Sequence, residues 1–192
     1  MKVNENGLTL IVDLDLEPTS PREDYENLGI MLCWHRRYNL GDKNQYKSPS
    51  DFLNSVEAKD IFLQLPLYLY DHSGITMSHR DFNDRFDSGR IGFIYVTREK
   101  VKEWYGGLSD ETKLKANRQL LDEIADYADY LEGNIYKYQI EDEDGLILDS
   151  SSGYSGRHHF REVVKSMKEN SSKDYQGIFE AMISRINSYT IA

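Results

Sequence analysis

An aspartate–histidine pair and a second aspartate are the side chains best suited to chemistry in this sequence. Asp71 and His72 follow the aromatic-rich segment 61–70, and Asp87 precedes a second such segment at 91–96. If these segments are paired strands, both aspartates lie at the same end of a sheet. An imidazole between two carboxylates can act as a general acid or base. This arrangement suggests a small hydrolase or nucleotide-processing enzyme that uses Asp71, His72 and Asp87.

The same residues also have a structural explanation, which the neighbouring turn residues favour. Ser73 and Gly74 follow the first pair, and Ser88 and Gly89 follow Asp87. Aspartates in such turns accept hydrogen bonds from nearby backbone N–H groups. Under this interpretation Asp71 and Asp87 hold the strand ends, and contact with a ligand is a third alternative.

Metal and cofactor sites are not indicated by any recognised spacing. A metal site would need several converging ligands, and the spacing of the available residues matches no zinc motif or EF-hand loop. Glycine-rich dinucleotide and phosphate-binding motifs are also missing from the sequence, so no metal and no cofactor are predicted. His158 and His159 are predicted to be exposed. The residues considered as metal ligands by type are Asp71, His72, His79, Asp81, Asp84 and Asp87.

The single cysteine could form a catalytic pair with a histidine. Cys33 lies in a strand-like segment and His35 follows two residues later, on the same face of an extended strand. A thiolate–imidazole pair is therefore geometrically possible. A buried cysteine in an apolar strand is the favoured alternative, and a lone cysteine excludes a disulfide within the chain.

Acidic residues are concentrated between residues 110 and 149, a segment that contains twelve acidic residues and four basic ones. Asp122, Asp126 and Asp129 recur at helical spacing and are predicted to lie on one exposed face of a long helix. The opposite, buried stripe is predicted to contain Leu114, Leu121, Ile124, Ala128 and Leu131.

A second acidic cluster is expected at the tip of a hairpin, formed by Glu141, Asp142, Glu143 and Asp144. Concentrated acids can imitate the phosphates of DNA and occupy the basic groove of a protein. An ordinary solvated surface is the simpler interpretation.

Bulk composition restricts the class of protein. The formal net charge is −10 with a pI near 5.0, which disfavours direct binding to nucleic acid or to an anionic membrane. The sequence contains neither a signal-like N-terminus nor a run of about 20 apolar residues. A cytoplasmic protein, in a bacterial host, is the expectation.

The predicted elements favour an α+β fold with a mostly antiparallel sheet packed by helices, and with C-terminal helices. One domain over residues 1–192 is predicted, with 157–192 as a possible small helical appendage. Strands are expected at 8–16, 30–34, 61–70, 91–96, 135–140 and 146–148, and helices at 51–59, after Thr97, from Ser109 to Gly133, at 161–168 and at 176–188.

Several long strings resemble a family of small proteins encoded by tailed phages and prophages. They are SPREDYENLGIMLCWHRRYNLGDK (residues 20–43), LPLYLYDHSGITM and RFDSGRIGFIYVTREKV, and the resemblance spans roughly residues 8–156. It implies a phage accessory protein, a class whose members often counteract host defence systems, and it transfers no active site. Two departures occur: Ser151 and Ser152 stand where the family often has cysteine and tryptophan, and the loop from His79 to Arg85 is more highly charged.

The leading functional hypothesis is therefore a phage accessory protein that binds a host or phage protein through its acidic, nucleic-acid-mimicking surface. The enzyme hypothesis is the alternative. A structural or regulatory dimer with tyrosine-rich interfaces is a third, since the chain contains fourteen tyrosines.

Overall fold

The computed structural model describes residues 1–156 and 160–190 and confirms the α+β prediction. Contacts divide the chain into two compact units, here called unit 1 (Met1–Thr19 with Gly133–Ala192) and unit 2 (Ser20–Glu132). His158 and His159 lie outside the described residues. The single-domain assignment and the appendage at 157–192 stay predictions.

The strands in chain order are β1 (Lys2–Glu5), β2 (Leu8–Leu14), β3 (Ile30–Cys33), β4 (Ile61–Asp71), β5 (Ile75–Ser78), β6 (Ser88–Thr97), β7 (Ile135–Glu141) and β8 (Ile147–Ser155). The helices are α1 (Pro21–Asp24), α2 (Pro49–Leu53), α3 (Val56–Lys59), α4 (Arg98–Tyr105), α5 (Asp110–Glu132), α6 (Phe160–Asn170) and α7 (Gln176–Thr190), with a 3-10 turn at Lys173–Tyr175.

Unit 1 is an antiparallel sheet of order β1-β2-β7-β8 with α6 and α7 packed against it. The two helices and the inner strands share one apolar core, which includes Leu10, Ile140, Val164, Phe179 and Met182. The predicted strand at 146–148 is much longer in the structure and forms the edge of this sheet. Among the described strands it pairs with β7 only.

Unit 2 contains a second antiparallel sheet, of order β3-β6-β4-β5. The two aromatic-rich segments do pair, with Tyr70 opposite Ser88 near the sheet end. The hairpin partner β5 was not predicted because its four residues are too short for a clear alternating pattern. Helix α5 covers this sheet and buries Leu120 and Ala128 against Leu69 and Ile94.

Local capping explains where the helices of unit 2 begin. The Thr97 hydroxyl accepts a hydrogen bond from Lys100 N–H at 3.2 Å and starts α4. The predicted helix 51–59 is instead two short helices. The Ser55 hydroxyl accepts from Ala58 N–H at 3.1 Å and starts α3, and the extended backbone at Ser55 separates the two helices.

Candidate functional site

The end of β4 and the start of β6 bring Asp71 and Asp87 together, as the sequence predicted. Asp71 N–H donates to the Asp87 carbonyl at 2.8 Å. His72 Nδ1 lies 2.9 Å from Asp87 Oδ2. The three residues therefore lie next to one another at this end of the sheet.

Their side chains nevertheless face different surroundings. Asp71 accepts hydrogen bonds from Arg37 and, at 3.2 Å, from the Tyr38 hydroxyl. A cavity of about 300 Å³ is lined by both aspartates but not by His72, whose side chain is 62% exposed. The geometry provides a surface His–Asp pair and a separate Arg–Asp pair, rather than one enclosed acid–base centre.

An aspartate does accept backbone N–H groups in this turn, but it is Asp84 and not the predicted Asp71 or Asp87. Asp84 Oδ1 accepts from Phe86 N–H at 2.9 Å and from Asp87 N–H at 3.0 Å. These backbone hydrogen bonds, that from Asp87 first, lower the pKa of the Asp84 carboxyl. Asp71 and Asp87 are engaged by side chains instead.

The cysteine does not have the properties of an activated nucleophile. Burial raises the pKa of the Cys33 thiol to about 12, and the nearby Asp42 carboxylate adds to the shift. A thiol of this kind stays protonated at neutral pH. His35 stacks on the Tyr38 ring with centroids 5.1 Å apart, because β3 ends at Cys33 and strand alternation no longer holds beyond it.

The expected acidic face of the long helix is not a continuous exposed surface. Asp122 is exposed, Asp126 is half-buried and Asp129 is only 7% exposed. Leu114, assigned to the buried stripe, is 73% exposed. Ile124 and Ala128 of the predicted stripe are buried, and Leu121 and Leu131 are half-buried, so the prediction was wrong only for Leu114. The buried face also includes Glu123, a charged residue.

Glu123 belongs to a buried ion cluster that the sequence did not reveal. Arg22 donates to Glu123 at 2.9 Å and to both oxygens of Asp42 at 3.0 and 2.6 Å. Burial alone would lower the pKa of Arg22, but the two carboxylates raise it overall. Leu28 N–H and Gly29 N–H also donate to Glu123. The cluster ties the segment before β3 to α5 and is a structural feature.

The second acidic cluster is largely exposed at the tip of the β7–β8 hairpin. Asp142 Oδ1 accepts from Asp144 N–H at 3.0 Å and from Leu146 N–H at 2.8 Å, which fixes the turn. Glu143 and Asp144 are exposed, whereas Glu141 and Asp142 are half-buried. Part of the predicted acidic surface is therefore accessible.

Three aliphatic side chains follow these acids and are also exposed. Leu146 is 64% exposed, and Ile147 and Leu148 continue the exposed stretch along the start of β8. We call residues 143–148 together with the outer edge of β8 the hairpin surface. In the described part of the chain β8 pairs with β7 only.

No family model matches the chain, and no curated protein or solved structure gives a significant match. Within the described residues, no group of three or more His, Cys, Asp or Glu side chains is arranged to hold a metal ion. None of the helices in the described ranges has the length and apolar character needed to cross a membrane.

Proposed function

We propose that this protein is a phage-encoded accessory protein that acts by binding a basic protein through the hairpin surface, and that it counteracts a host defence system in this way. The observation that carries the proposal is the run of exposed residues 143–148, which joins two acids to three aliphatic side chains on a fixed turn. Exposed apolar side chains that adjoin one another are typical of interaction sites.

The edge strand adds a second way to bind. An uncovered edge presents backbone N–H and C=O groups to any extended segment, and many proteins block such edges with lysine, proline or a covering element. The nine residues of β8 include neither lysine nor proline. An extended segment of the partner can therefore add to the sheet, with main-chain hydrogen bonds supplying affinity.

Charge indicates the kind of partner. Glu143 and Asp144 are exposed next to the edge, in a chain of net charge −10. A basic partner, such as a nucleic-acid-handling protein of the host, complements this surface. The resemblance of residues 8–156 to tailed-phage proteins supports that setting. The helix acids contribute less than the sequence suggested, since Asp129 is buried.

The test is a double charge reversal, Glu143→Lys with Asp144→Lys. We expect affinity purification from infected cells to recover a basic protein with the wild-type chain, and binding of that purified protein to fall at least ten-fold in the variant. Duplex DNA should compete with the wild-type chain for the same partner if the acids imitate phosphates.

The matched control is Glu169→Lys with Asp174→Lys, which changes the net charge equally at two exposed acids elsewhere. It should bind like the wild-type chain. Equal losses in both double variants would show a general charge effect, and full binding by the hairpin variant would reject the hairpin surface as the site.

A second candidate, a small hydrolase or nucleotide-processing enzyme, has one observation in its favour: the 2.9 Å contact between His72 and Asp87. A carboxylate that orients an imidazole is a common arrangement for a general base. The test is turnover of a panel of nucleotides and phosphoesters by the purified chain. Activity that His72→Ala and Asp87→Asn both abolish would support it, and no turnover by the wild-type chain would count against it.

A further inference from the structure

A cavity of about 470 Å³ lies in unit 2, where α3, the junction of β6 with α4 and the segment leading into β3 come together. Small-molecule sites commonly have volumes of roughly 300–1,000 Å³. Aliphatic side chains form part of the wall, from Leu28, Ile30, Val56 and Val96. None of the residues that line the cavity belongs to the hairpin surface, so it is a separate feature of the molecule.

Acidic side chains outnumber basic ones around this cavity. Its charged lining residues are Glu57, Asp60, Glu99 and Lys100. The Lys100 ammonium group lies 3.2 Å from Glu103 and 3.8 Å from Glu26, two further acids outside the lining. Arg98 approaches Asp60 at 4.0 Å. The lining residues and their ion-pair partners together supply five carboxylates and two cations, so the surroundings favour a cationic ligand.

Two of the lining carboxylates have no cationic partner in the described part of the chain. Glu57 and Glu99 form no ion pair with any described residue, whereas Asp60 has Arg98. Glu57 is half-buried and Glu99 is exposed. Attraction between opposite charges is stronger where water is partly excluded. A cationic ligand should therefore interact most strongly with Glu57.

Two tyrosines hold the Glu57 carboxylate in place. One of its oxygens accepts from the Tyr46 hydroxyl at 2.7 Å, and the other accepts from the Tyr95 hydroxyl. Burial raises the pKa of Tyr95, so this hydroxyl stays protonated and continues to donate. A carboxylate offers about four lone-pair positions, so acceptor capacity remains on both oxygens. An acceptor that is already oriented reduces the cost of ordering on binding.

The walls of the cavity are joined by hydrogen bonds of the backbone. Arg98 N–H donates to the Asp60 carbonyl at 2.9 Å, which attaches the end of α3 to the start of α4. Glu99 N–H donates to an Asp60 carboxylate oxygen at 3.4 Å. These contacts need no ligand, so the cavity is preformed, as most small-molecule sites are.

A second cavity, of about 380 Å³, shares Ile30 and Glu57 with the first. Its charged lining residues are Glu57 and Lys43, one of each sign. The excess of acids is therefore a property of the first cavity, and the ligand is placed there.

We propose that the first cavity binds an aliphatic ammonium compound. The ammonium group donates to the Glu57 carboxylate, and the alkyl chain lies against Ile30, Val56 and Val96. A compact ammonium group needs one free acceptor position, whereas the fork of a guanidinium needs two in parallel, and the tyrosines already occupy part of this carboxylate. The site does not depend on the function proposed above.

The test is an NMR titration of the isotope-labelled full chain with n-butylamine, which is protonated at neutral pH. The amides of Glu57, Thr97 and Glu99 should shift and reach saturation. Butanoate, with the same alkyl length and the opposite charge, is the ligand control and should leave these amides unchanged.

Two further probes distinguish the sources of such a group. Diaminobutane represents a free diamine, whose second ammonium group can approach Glu99, and Nα-acetyl-lysine methylamide represents a lysine side chain of a protein. Tighter binding of diaminobutane assigns the cavity to free diamines. Tighter binding of the lysine derivative assigns it to a protein ligand, and either result supports recognition of an ammonium group.

Substitution of Glu57 tests the contact that the proposal requires. Glu57→Gln removes the charge but keeps a carbonyl oxygen for a tyrosine hydroxyl, and n-butylamine should bind at least ten-fold more weakly. Glu99→Gln, at an exposed acid, should weaken binding about two- to three-fold. Asp122→Asn, another exposed acid of unit 2, is the matched control and should bind normally.

A variant at the exposed rim keeps the test valid if Glu57→Gln fails to fold, which thermal melting would show. Val56 is 82% exposed, so Val56→Lys should fold, and its own alkylammonium group should compete with the ligand and weaken binding at least five-fold. Leu53→Lys, at a 58% exposed position outside the lining, is its control.

Three results would overturn the proposal. They are a titration with n-butylamine that does not saturate, equal shifts with butanoate, and affinity that is unchanged in Val56→Lys or in a folded Glu57→Gln.

Discussion

Two exposed turns, one in each unit, are built by the same local chemistry and present different surfaces. In each, one aspartate carboxylate accepts two backbone N–H groups: Asp142 at the hairpin tip and Asp84 in residues 84–88, the Phe86 turn. Each turn carries exposed apolar residues that a folded chain would ordinarily bury. Rigid presentation lowers the entropy lost on binding, so the shared design is consistent with interaction sites.

The difference lies in the neighbouring charges. Glu143 and Asp144 flank the aliphatic residues of the hairpin surface, whereas charges of both signs, Arg85 and Arg90 as well as Asp84 and Asp87, lie around Phe86. The comparison teaches that an overall charge of −10 does not describe each surface of the protein.

The units beneath the turns also differ. The core of unit 1 consists of apolar side chains, including Phe179 and Met182. In the described part of the chain, the buried charged residues Glu123 and Asp129 both belong to unit 2. The Phe86 turn therefore depends on a scaffold that contains an ion cluster, and the hairpin surface on one that packs by apolar burial.

The largest effect on stability is expected from Glu123→Ala, which should destabilise unit 2 more than unit 1. Removing this carboxylate leaves Arg22 with Asp42 and the Gly29 carbonyl as partners, and leaves two buried N–H groups without this acceptor. Unit 2 should lose about 3–5 kcal/mol of stability. Both tryptophans, Trp34 and Trp104, belong to unit 2, so denaturation followed by tryptophan fluorescence reports on it directly.

The adjacent exposed acid provides the control for that experiment. Asp122→Ala should change the unfolding free energy by no more than about 0.5 kcal/mol. Amide exchange in the core of unit 1 should change less than exchange in α5. A loss below about 1 kcal/mol in Glu123→Ala would show that the cluster is not essential to unit 2.

A glycine substitution tests whether the hairpin tip depends on a left-handed glycine. Gly145 at the hairpin tip has φ of 82°, whereas the loop before Phe86 uses Asn83 at 57°. Gly145→Ala should cost about 1–2 kcal/mol, because a Cβ is unfavourable there even though no atom obstructs it. Gly107→Ala, where the backbone is not left-handed and the space is open, is the control and should be near neutral by thermal melting.

Removal of either bracing carboxylate should loosen its own turn and leave the other unchanged. In Asp142→Ala the amides of Asp144 and Leu146 lose their acceptor, and in Asp84→Ala those of Phe86 and Asp87 do. Hydrogen exchange at those amides should be several-fold faster. If exchange is unchanged in either variant, the backbone alone holds that turn, and the parallel between the two turns fails.

The smallest effect is a pH dependence confined to the Phe86 turn. The Asp84 carboxyl has a pKa below its ordinary value of 3.8 because Asp87 N–H and Phe86 N–H donate to the ionised form. The carboxylate therefore stabilises the turn fully above pH 3.8, and this contribution is lost as the pH falls through the lower pKa of the folded state. NMR titration of the Asp84 carboxyl should show a midpoint below 3.8, and the Phe86 amide should stop following this titration in Asp84→Asn.

Much of the fold could be predicted, and the misses have physical causes. Thr97, Gly106, Ser109 and Gly133 mark helix ends through local chemistry that the chain expresses by itself. The burial of Glu123 in α5 could not be predicted, because a buried glutamate resembles a solvent-facing one until its partner Arg22 is placed beside it. Of the candidate sites, the meeting of Asp71 with Asp87 was predictable from strand pairing, whereas the separate surroundings of Asp71 and His72 were not.

The sequence by itself determined the α+β class, the paired aromatic strands and the acidic hairpin tip, since each follows from periodicity or from turn residues close together in the chain. Tertiary structure alone decided that Asp129 is buried, that β8 is an edge strand and that Phe86 is exposed. Burial and edge position depend on which distant segments pack together, and no local pattern carries that information.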